Sequence, residues 1–407
     1  VCTDVEAIPH RHRLNHVIAI ITHEALKSSD LADFTSWNLV IDETPSVWDR
    51  QELRTTLSRE FLQSHYELLP VGARCVVSSI SDKTAADFRR DSLTQELTVM
   101  HARVCDPRMT VLADVASWDD LGEEGNWTWT SIFSPMQLAV FERVKILANA
   151  FTRSLTYKVL AKVWPEISWL PECRQQHRPY LRRMMRIRYF AANHTASRSL
   201  FDSEEGQRRL RQISEFIAGE VEPENHIWTC NHDDIPSLKN ALVRSQRLSP
   251  RQSGSNAYNH LTAVSAIYTA KASPKERGLF QSLGIDPHAA TETREYETIF
   301  QFVGRCAVRD PRSTKAITVH VYDRQQAEYL HELFSATNYV DCELSLVDLG
   351  FAHRRAPKPG RRPLQRSQSE LSAQRDRKRL LARERKRRQR AHEHKRREFG
   401  DVLPSDN

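Results

Sequence analysis

The chain has 407 residues, of which 40% are hydrophobic, so it is long enough to form two or three domains with substantial cores. No apolar run approaches the ~20 residues that a membrane-spanning helix needs, which argues against an integral membrane protein. The seven cysteines never form a C-x-x-C pair, which argues against a zinc ribbon or disulfide framework and indicates the reducing cytoplasm.

The first 175 residues have the pattern of α/β structure. The predicted strands are 16–21, 38–41 and 144–147. A short helix is predicted from Glu24 and a longer one over 154–164, and buried strands that alternate with helices indicate a parallel sheet. Residues from about 51 to 138 predict a long, mostly helical insertion in this block, with one candidate strand over 74–78.

Residues 176–350 predict a second α/β block. Its predicted strands are 183–190, 226–231, 263–268, 316–322 and 342–349. Its predicted helices are 204–218, 295–309 and 324–334, the last of them capped by Asp323. The predicted fold class is therefore α/β, with parallel-sheet domains over 1–175 and 176–350 and a separate C-terminal tail over 351–407.

The tail has an unusual charge. Residues 352–399 contain 19 Lys and Arg against 5 Asp and Glu, a net charge of +14, while the rest of the chain carries −7. The segment has almost no apolar face, which predicts disorder or a weakly populated helix. Its densest basic run comprises Arg385, Lys386, Arg387 and Arg388. This density favours binding to nucleic-acid phosphates. A membrane surface is the competing partner, but beyond Leu380 and Leu381 the segment has no Trp, Phe or Leu anchors at helical spacing.

Two carboxylates follow the second predicted strand. The apolar run 39–41 leads directly into Asp42 and Glu43. In nucleotide hydrolases an Asp at the carboxyl end of a central strand holds Mg²⁺, and a neighbouring Glu polarises the attacking water. A strand that simply runs into an acidic loop would have the same sequence, so this pattern alone leaves both interpretations open.

The segment 301–309 reads Q-F-V-G-R-C-A-V-R. If this segment is helical, Gln301, Arg305 and Arg309 lie four residues apart on one face and can grip a triphosphate. Arginine suits that role because it stays charged and offers a planar fork of donors. The alternative is an ordinary amphipathic helix with two exposed arginines.

Together, V-I-D-E at 40–43 and Q-x-x-G-R-x-x-R at 301–309 resemble motifs II and VI of the superfamily 2 DEAD/DEAH-box helicases, in a divergent form of phage or plasmid type. The Thr22-His23 pair resembles the end of motif Ib. Asn149 lies where motif III is expected, and the run from Gly254 to Tyr258 resembles part of motif V.

The resemblance implies two RecA-like domains that hydrolyse ATP with Mg²⁺ while they translocate on or unwind DNA or RNA, in the replication of a mobile element. The implied catalytic residues are Glu43, Arg305 and Arg309. The implied nucleotide-binding residues are Asp42, which also holds the metal, Gln301, Gly254 and Asn256. Thr22 and His23 are the implied nucleic-acid contacts outside the tail.

One motif of the family is absent. No G-x-x-x-x-G-K-[ST] phosphate loop occurs in the 407 residues, and the chain begins with Val1. The resemblance implies that this loop lies upstream of Val1, and that the present chain alone binds ATP poorly and hydrolyses almost none. The alternative is a non-catalytic nucleic-acid-binding protein that keeps a degenerate helicase fold. The sequence gives no prediction of the oligomeric state.

The charge distribution predicts where sequence-independent affinity resides. We expect the logarithm of the nucleic-acid affinity to fall linearly with the logarithm of the salt concentration, by roughly 0.7–0.9 per phosphate neutralised. Deleting every residue after Leu349 should flatten that slope and weaken binding, measured by fluorescence anisotropy across a salt series. An unchanged slope would place the binding surface outside the tail, and loss of folding would show that the tail packs on the body.

Overall fold

The computed structural model describes residues 2–13, 16–54, 57–71, 74–113, 126–172, 179–251 and 256–351. The strands are β1 (Asn38–Asp42), β2 (Trp48–Arg54), β3 (Tyr66–Val71), β4 (Arg74–Ser79), β5 (Met109–Ala113), β6 (Asn126–Phe133), β7 (Arg143–Leu147), β8 (Arg183–Ala191), β9 (His226–Cys230), β10 (Gln246–Arg247), β11 (Ala263–Ile267), β12 (Ile317–Asp323) and β13 (Val340–Leu346). We call the described residues of 2–172 the first lobe and those of 179–351 the second lobe.

The α-helices of the first lobe are α1 (Cys2–Glu6), α2 (Ile8–Arg11), α3 (His23–Ser28), α4 (Arg59–Gln63), α5 (Ala85–Arg90), α6 (Thr98–Val104) and α7 (Leu155–Val163). Those of the second lobe are α8 (Arg198–Phe201), α9 (Glu204–Glu220), α10 (Ile235–Lys239), α11 (Pro274–Ser282), α12 (His288–Thr291), α13 (Glu297–Val303) and α14 (Arg324–Ser335). Within the described ranges, no helix is long and apolar enough to cross a bilayer.

The first lobe contains a small parallel sheet. β1 pairs with β7 so that Ile41 lies beside Ile146, and both side chains face a core that includes Phe34 and Phe141. The strand predicted over 16–21 is wrong, because residues 16–22 have no regular structure. Ile18 and Ile20 are 93% and 94% exposed. A β-branched run forms a strand only where a neighbouring strand pairs with it, and none does so within the described part of the chain.

The insertion of the first lobe differs from the mostly helical prediction. It contains a five-stranded antiparallel sheet in the order β2-β6-β5-β4-β3, with the short helices α4 to α6 along one face. Trp127 and Trp129 lie two residues apart on the same face of β6 and are buried in one cluster with Phe88 and Met100. The pairings of β2 with β6 and of β4 with β5 join segments that are distant in sequence, so local propensity did not reveal them. The β3–β4 hairpin is local and was missed for a different reason, since only one of its strands was recognised.

The second lobe is a six-stranded parallel sheet in the order β10-β9-β11-β12-β8-β13. Helices α13 and α14 cover one face, where Phe302 and Leu330 are fully buried. Helices α9 and α10 cover the other, where Ile213 and Leu238 are fully buried. The predicted fold class, mixed α/β with parallel sheets, is therefore confirmed and is consistent with two RecA-like domains.

A close approach between two helices of the second lobe requires glycine. Ser203 caps α9 by accepting from the Gly206 backbone N–H at 3.0 Å, which brings the first turn of α9 onto α8. A Cβ built on Gly206 would lie 1.8 Å from the Leu200 carbonyl oxygen and 2.9 Å from the Phe201 Cα. Gly219, in the last turn of α9, has open space at the same position.

We expect Gly206→Ala to destabilise the chain by roughly 2–4 kcal/mol, because the backbone of α8 must move to accommodate the methyl group. Gly219→Ala is the matched control in the same helix, and it should be neutral or stabilising by up to ~1 kcal/mol. Urea denaturation of both variants measures the difference. Equal stabilities would show that α8 and α9 do not pack this closely.

A buried row of polar side chains crosses the sheet of the second lobe. His226 Nε2 and Ser265 Oγ are hydrogen-bonded at 2.8 Å, and Ser265 Oγ and His320 Nδ1 at 3.0 Å. His320 Nε2 donates to the Glu220 carboxylate at 2.9 Å. A neutral His320 accepts at Nδ1 from the Ser265 hydroxyl, whose oxygen then accepts from His226 Nε2. Burial lowers the pKa of His226 to about 3 and also lowers that of His320.

The depressed histidine pKa values predict acid sensitivity. In the unfolded chain a histidine gains its proton near pH 6.5, whereas folded His226 stays neutral until a much lower pH. The unfolded state therefore binds more protons below pH 6.5, and stability falls as the pH decreases from 7 towards 5. Between pH 7.5 and 5.5 we expect His226→Gln to remove roughly 1 kcal/mol of this loss. A wild-type pH dependence retained in full by the variant would contradict the neutral relay.

Candidate functional site

A cleft of about 530 Å³ lies between the two lobes. From the first lobe it is lined by the residue after β1, Glu43, and by the loop that follows β7. From the second lobe it is lined by a π-helical turn, Glu292–Tyr296, by α13 and by the residue Arg305. Three residues predicted from the sequence, Glu43, Gln301 and Arg305, therefore lie on the walls of one cleft.

Backbone strain is concentrated in this cleft. Within the described ranges, Glu43 (φ 67°) and Ala150 (φ 46°) are the non-glycine residues with positive φ, and both line the cleft. The Glu43 backbone N–H still donates to Leu147 at 2.9 Å, so the chain leaves the sheet at this residue. Such conformations cost of order 1–3 kcal/mol each and cluster at functional sites.

Arg305 is the unusual charge of the site. The residue is only 6% exposed, and its guanidinium makes no hydrogen bond or ion pair with the described residues; its Nε is fully buried without a partner. Burial is the main cause that lowers the pKa of Arg305, followed by the neighbouring charge of Arg309, whereas Glu43 raises it. A buried guanidinium without an acceptor is unfavourable, so this position favours an anionic ligand.

The predicted helix over 295–309 is wrong in its second half. Helix α13 ends at Val303, and residues Ala307–Arg309 form a separate 3₁₀ turn. Arg183 is buried and donates to the backbone carbonyls of Ala307 and, at 2.7 Å, Asp310, which fixes this turn. Arg305 and Arg309 therefore do not share a helical face: Arg309 is exposed and donates to Asn256 Oδ1 at 3.2 Å, away from the cleft wall.

Glu297 connects the lobes beside Arg305 and was not predicted as a site residue. Its carboxylate accepts hydrogen bonds from Asn149 at 3.0 Å in the first lobe, and from Tyr329 at 3.2 Å and Gln301 at 3.3 Å in the second. Burial raises the pKa of Glu297. The signal in the sequence was its position one helical turn before Gln301.

Arg153 is a second connection that sequence reasoning missed. It precedes α7 in the first lobe and forms ion pairs with Glu292 at 2.9 Å and Glu332 at 2.7 Å in the second. Its guanidinium also lies 5.1 Å from the centre of the Tyr329 ring. Nothing in the local sequence distinguishes this arginine from a surface residue, because both of its partners are more than a hundred residues away.

The remaining predicted residues lie elsewhere. Asp42 is exposed and does not line the cleft, and its carbonyl accepts from His23 Nε2 at 3.0 Å. Thr22 caps α3 by accepting from the Ala25 backbone N–H at 3.1 Å, so Thr22 and His23 both have structural partners. Gly254 and the basic run Arg385, Lys386, Arg387 and Arg388 lie outside the described residues.

The donor set can be tested against Mg²⁺. Within the ranges that the structure describes, no three His, Cys, Asp or Glu side chains gather as a metal cage. Mg²⁺ at nucleotide sites usually takes one or two protein carboxylates together with phosphate oxygens and waters. Glu43 lines the cleft and supplies one such carboxylate, whereas Asp42, the last residue of β1, does not line it. The residues present therefore fit the ion through Glu43.

Comparisons with known proteins give distant likenesses. Neither a protein-family model nor a curated protein matches the sequence. Among solved structures, one described as an XPD helicase has a TM-score of 0.38 and 10% identity, over 77% of this chain and 69% of that chain. Xpd4 of S. tokodaii has a TM-score of 0.36 and 10% identity, over 72% of each chain. Likenesses this distant identify neither a family nor a function.

Proposed function

We propose that the cleft between the lobes binds ATP with Mg²⁺ and belongs to a nucleic-acid helicase or translocase of the superfamily 2 kind. The observation that carries this proposal is the buried guanidinium of Arg305, which has no acceptor among the described residues and faces the same cleft as the strained Glu43. A terminal phosphate placed there supplies the missing acceptor. Arginine is suited to that contact by its fork of charged donors.

The roles follow from the chemistry of each residue. Arg305 neutralises charge on the γ-phosphate, the group on which charge develops during transfer. The Glu43 carboxylate orients and polarises the attacking water, and Gln301, held by Glu297, borders the same space. Glu43 would hold Mg²⁺, which neutralises phosphate charge when it is bound, and Asp42, which lies outside the cleft lining, would contact the ion through water. Arg309 is assigned a supporting role, since it contacts Asn256 and not the cleft.

The proposed partner is DNA or RNA. The net charge of +14 between residues 352 and 399 favours a polyanion, and Thr22 and His23 are further proposed contacts in the first lobe. We assign residues 1–175 and 176–350 to two RecA-like domains and 351–407 to the nucleic-acid-binding tail. Action on a replicating mobile element rests on the sequence resemblance.

A non-catalytic nucleic-acid-binding protein is the second candidate. One observation favours it: the net charge of +14 over residues 352–399 supports binding of nucleic acid without any nucleotide. The two candidates differ in whether the cleft distinguishes ATP from ADP.

We expect the chain to bind Mg·ATP more tightly than Mg·ADP, because only ATP carries the γ-phosphate that reaches Arg305. Arg305→Gln should remove this preference by lowering the affinity for ATP about tenfold, while the affinity for ADP stays the same. The expected size follows from a charge-assisted hydrogen bond, which is worth ~1.5–3 kcal/mol. Isothermal titration calorimetry at millimolar nucleotide measures both. Arg312→Gln, which changes an exposed arginine, is the matched control.

Three other results have clear meanings. A wild-type chain that binds ATP and ADP equally would show that Arg305 does not contact the γ-phosphate. A chain that binds nucleic acid but binds neither ATP nor ADP would favour the non-catalytic candidate. If the chain hydrolyses ATP when supplied with its nucleic-acid partner, Glu43→Gln should abolish turnover and retain ATP binding, and full turnover by that variant would refute the role of Glu43.

A further inference from the structure

Two flat side chains meet on the wall of the cleft, one from each lobe. Trp48 is the first residue of β2, and Arg294 lies in the π-helical turn before α13. The guanidinium carbon of Arg294 lies 5.0 Å from the centre of the Trp48 ring, a distance that indicates a cation–π contact. Both residues line the same cleft as Arg305.

This pair is held in a fixed orientation. Arg294 Nη2 donates to Glu276 Oε1 at 2.9 Å. Glu276 is itself fixed, since its other oxygen accepts from the Ser273 backbone N–H at 2.8 Å in the capping box of α11. The Trp48 ring packs edge-to-face on Phe280 at 5.5 Å. Neither flat group therefore has to be ordered when a ligand arrives, which reduces the entropic loss on binding.

The charge of Arg294 distinguishes it from Arg305. The Arg294 guanidinium is already compensated by Glu276, whose side chain is 15% exposed, whereas Arg305 has no acidic partner among the described residues. A second phosphate contact is therefore disfavoured at Arg294. About a quarter of its side chain, 26%, remains accessible, and Trp48 is only partly buried. Flat aromatic and guanidinium surfaces of this kind are the ones on which heterocyclic bases stack.

We propose that Trp48 and Arg294 form a stacking platform for the base of the bound nucleotide, with a purine preferred because of its larger ring area. This inference rests on the proposed nucleotide cleft and names the part of it that takes the base. Because Trp48 belongs to the first lobe and Arg294 to the second, the base contacts both lobes. The phosphates then lie towards Arg305, the only arginine of the two without a carboxylate partner in the described structure.

The test compares Mg·ATP with inorganic tripolyphosphate, which has the phosphates but no base. Arg294→Lys keeps the charge and an ion pair with Glu276 but removes the flat guanidinium. We expect this variant to bind ATP about tenfold more weakly, because it loses the stacking surface for the base, and to bind tripolyphosphate as the wild type does. Trp48→Phe, which keeps a smaller ring, should lower the affinity for ATP by a smaller factor than Arg294→Lys does. Arg312→Lys is the control for a lysine at an exposed position.

A spectroscopic readout supports the same test. ATP should quench part of the tryptophan emission of the wild type, tripolyphosphate should not, and Trp48→Phe should lose that part. Equal weakening of ATP and tripolyphosphate by Arg294→Lys would identify Arg294 as a phosphate ligand and overturn the platform, as would unchanged ATP affinity in both variants. A wild-type chain that binds neither ligand refutes the nucleotide cleft itself, and the platform with it.

Discussion

The site depends on one buried charge that the protein leaves uncompensated. The Arg305 guanidinium is removed from water, yet the described residues offer it no acceptor. Two local features hold it there: α13 ends just before Gly304, whose backbone N–H donates to Phe300 at 2.8 Å, and Arg183 fixes the following turn through its carbonyls. An isolated buried charge is costly unless it is paired. In the proposed function an anion in the cleft offsets this cost, and Glu43 lines the same cleft.

Polar and apolar contacts connect the two lobes around the cleft. Glu297 and Arg153 supply hydrogen bonds and ion pairs between the lobes. An apolar cluster adds to them, in which Leu155 of the first lobe packs with Phe280 of the second. Most of the strength of this connection comes from the apolar cluster, since partly exposed ion pairs contribute little and buried apolar side chains contribute about 1.5–3 kcal/mol each. The hydrogen bonds of Glu297 and the ion pairs of Arg153 mainly orient side chains, because each fixes one side chain at the cleft.

The sequence predicted the elements whose signals are local. The strands of the second lobe, which are rich in apolar residues, and the Asp323 cap of α14 have signatures within a few residues. The same holds for β1, which ends at Asp42. Most of the predictions that were wrong concerned elements whose structure depends on partners distant in sequence. The segment 16–21 has no neighbouring strand in the described structure. The sheet of the insertion depends in part on pairs of distant segments, β2 with β6 and β4 with β5. The break of α13 was also missed, because Arg183, which stabilises the turn after it, is over a hundred residues away. For the same reason the sequence indicated Arg305 but missed Glu297 and Arg153.

A crystal structure of the chain with Mg²⁺ and a non-hydrolysable ATP analogue tests the central claim most directly. We expect a γ-phosphate oxygen to lie about 2.7–2.9 Å from the Arg305 guanidinium, with Glu43 facing the same phosphate. An Arg305 that remains without an anion while the nucleotide binds elsewhere, or that pairs with a protein carboxylate in the complex, would contradict it.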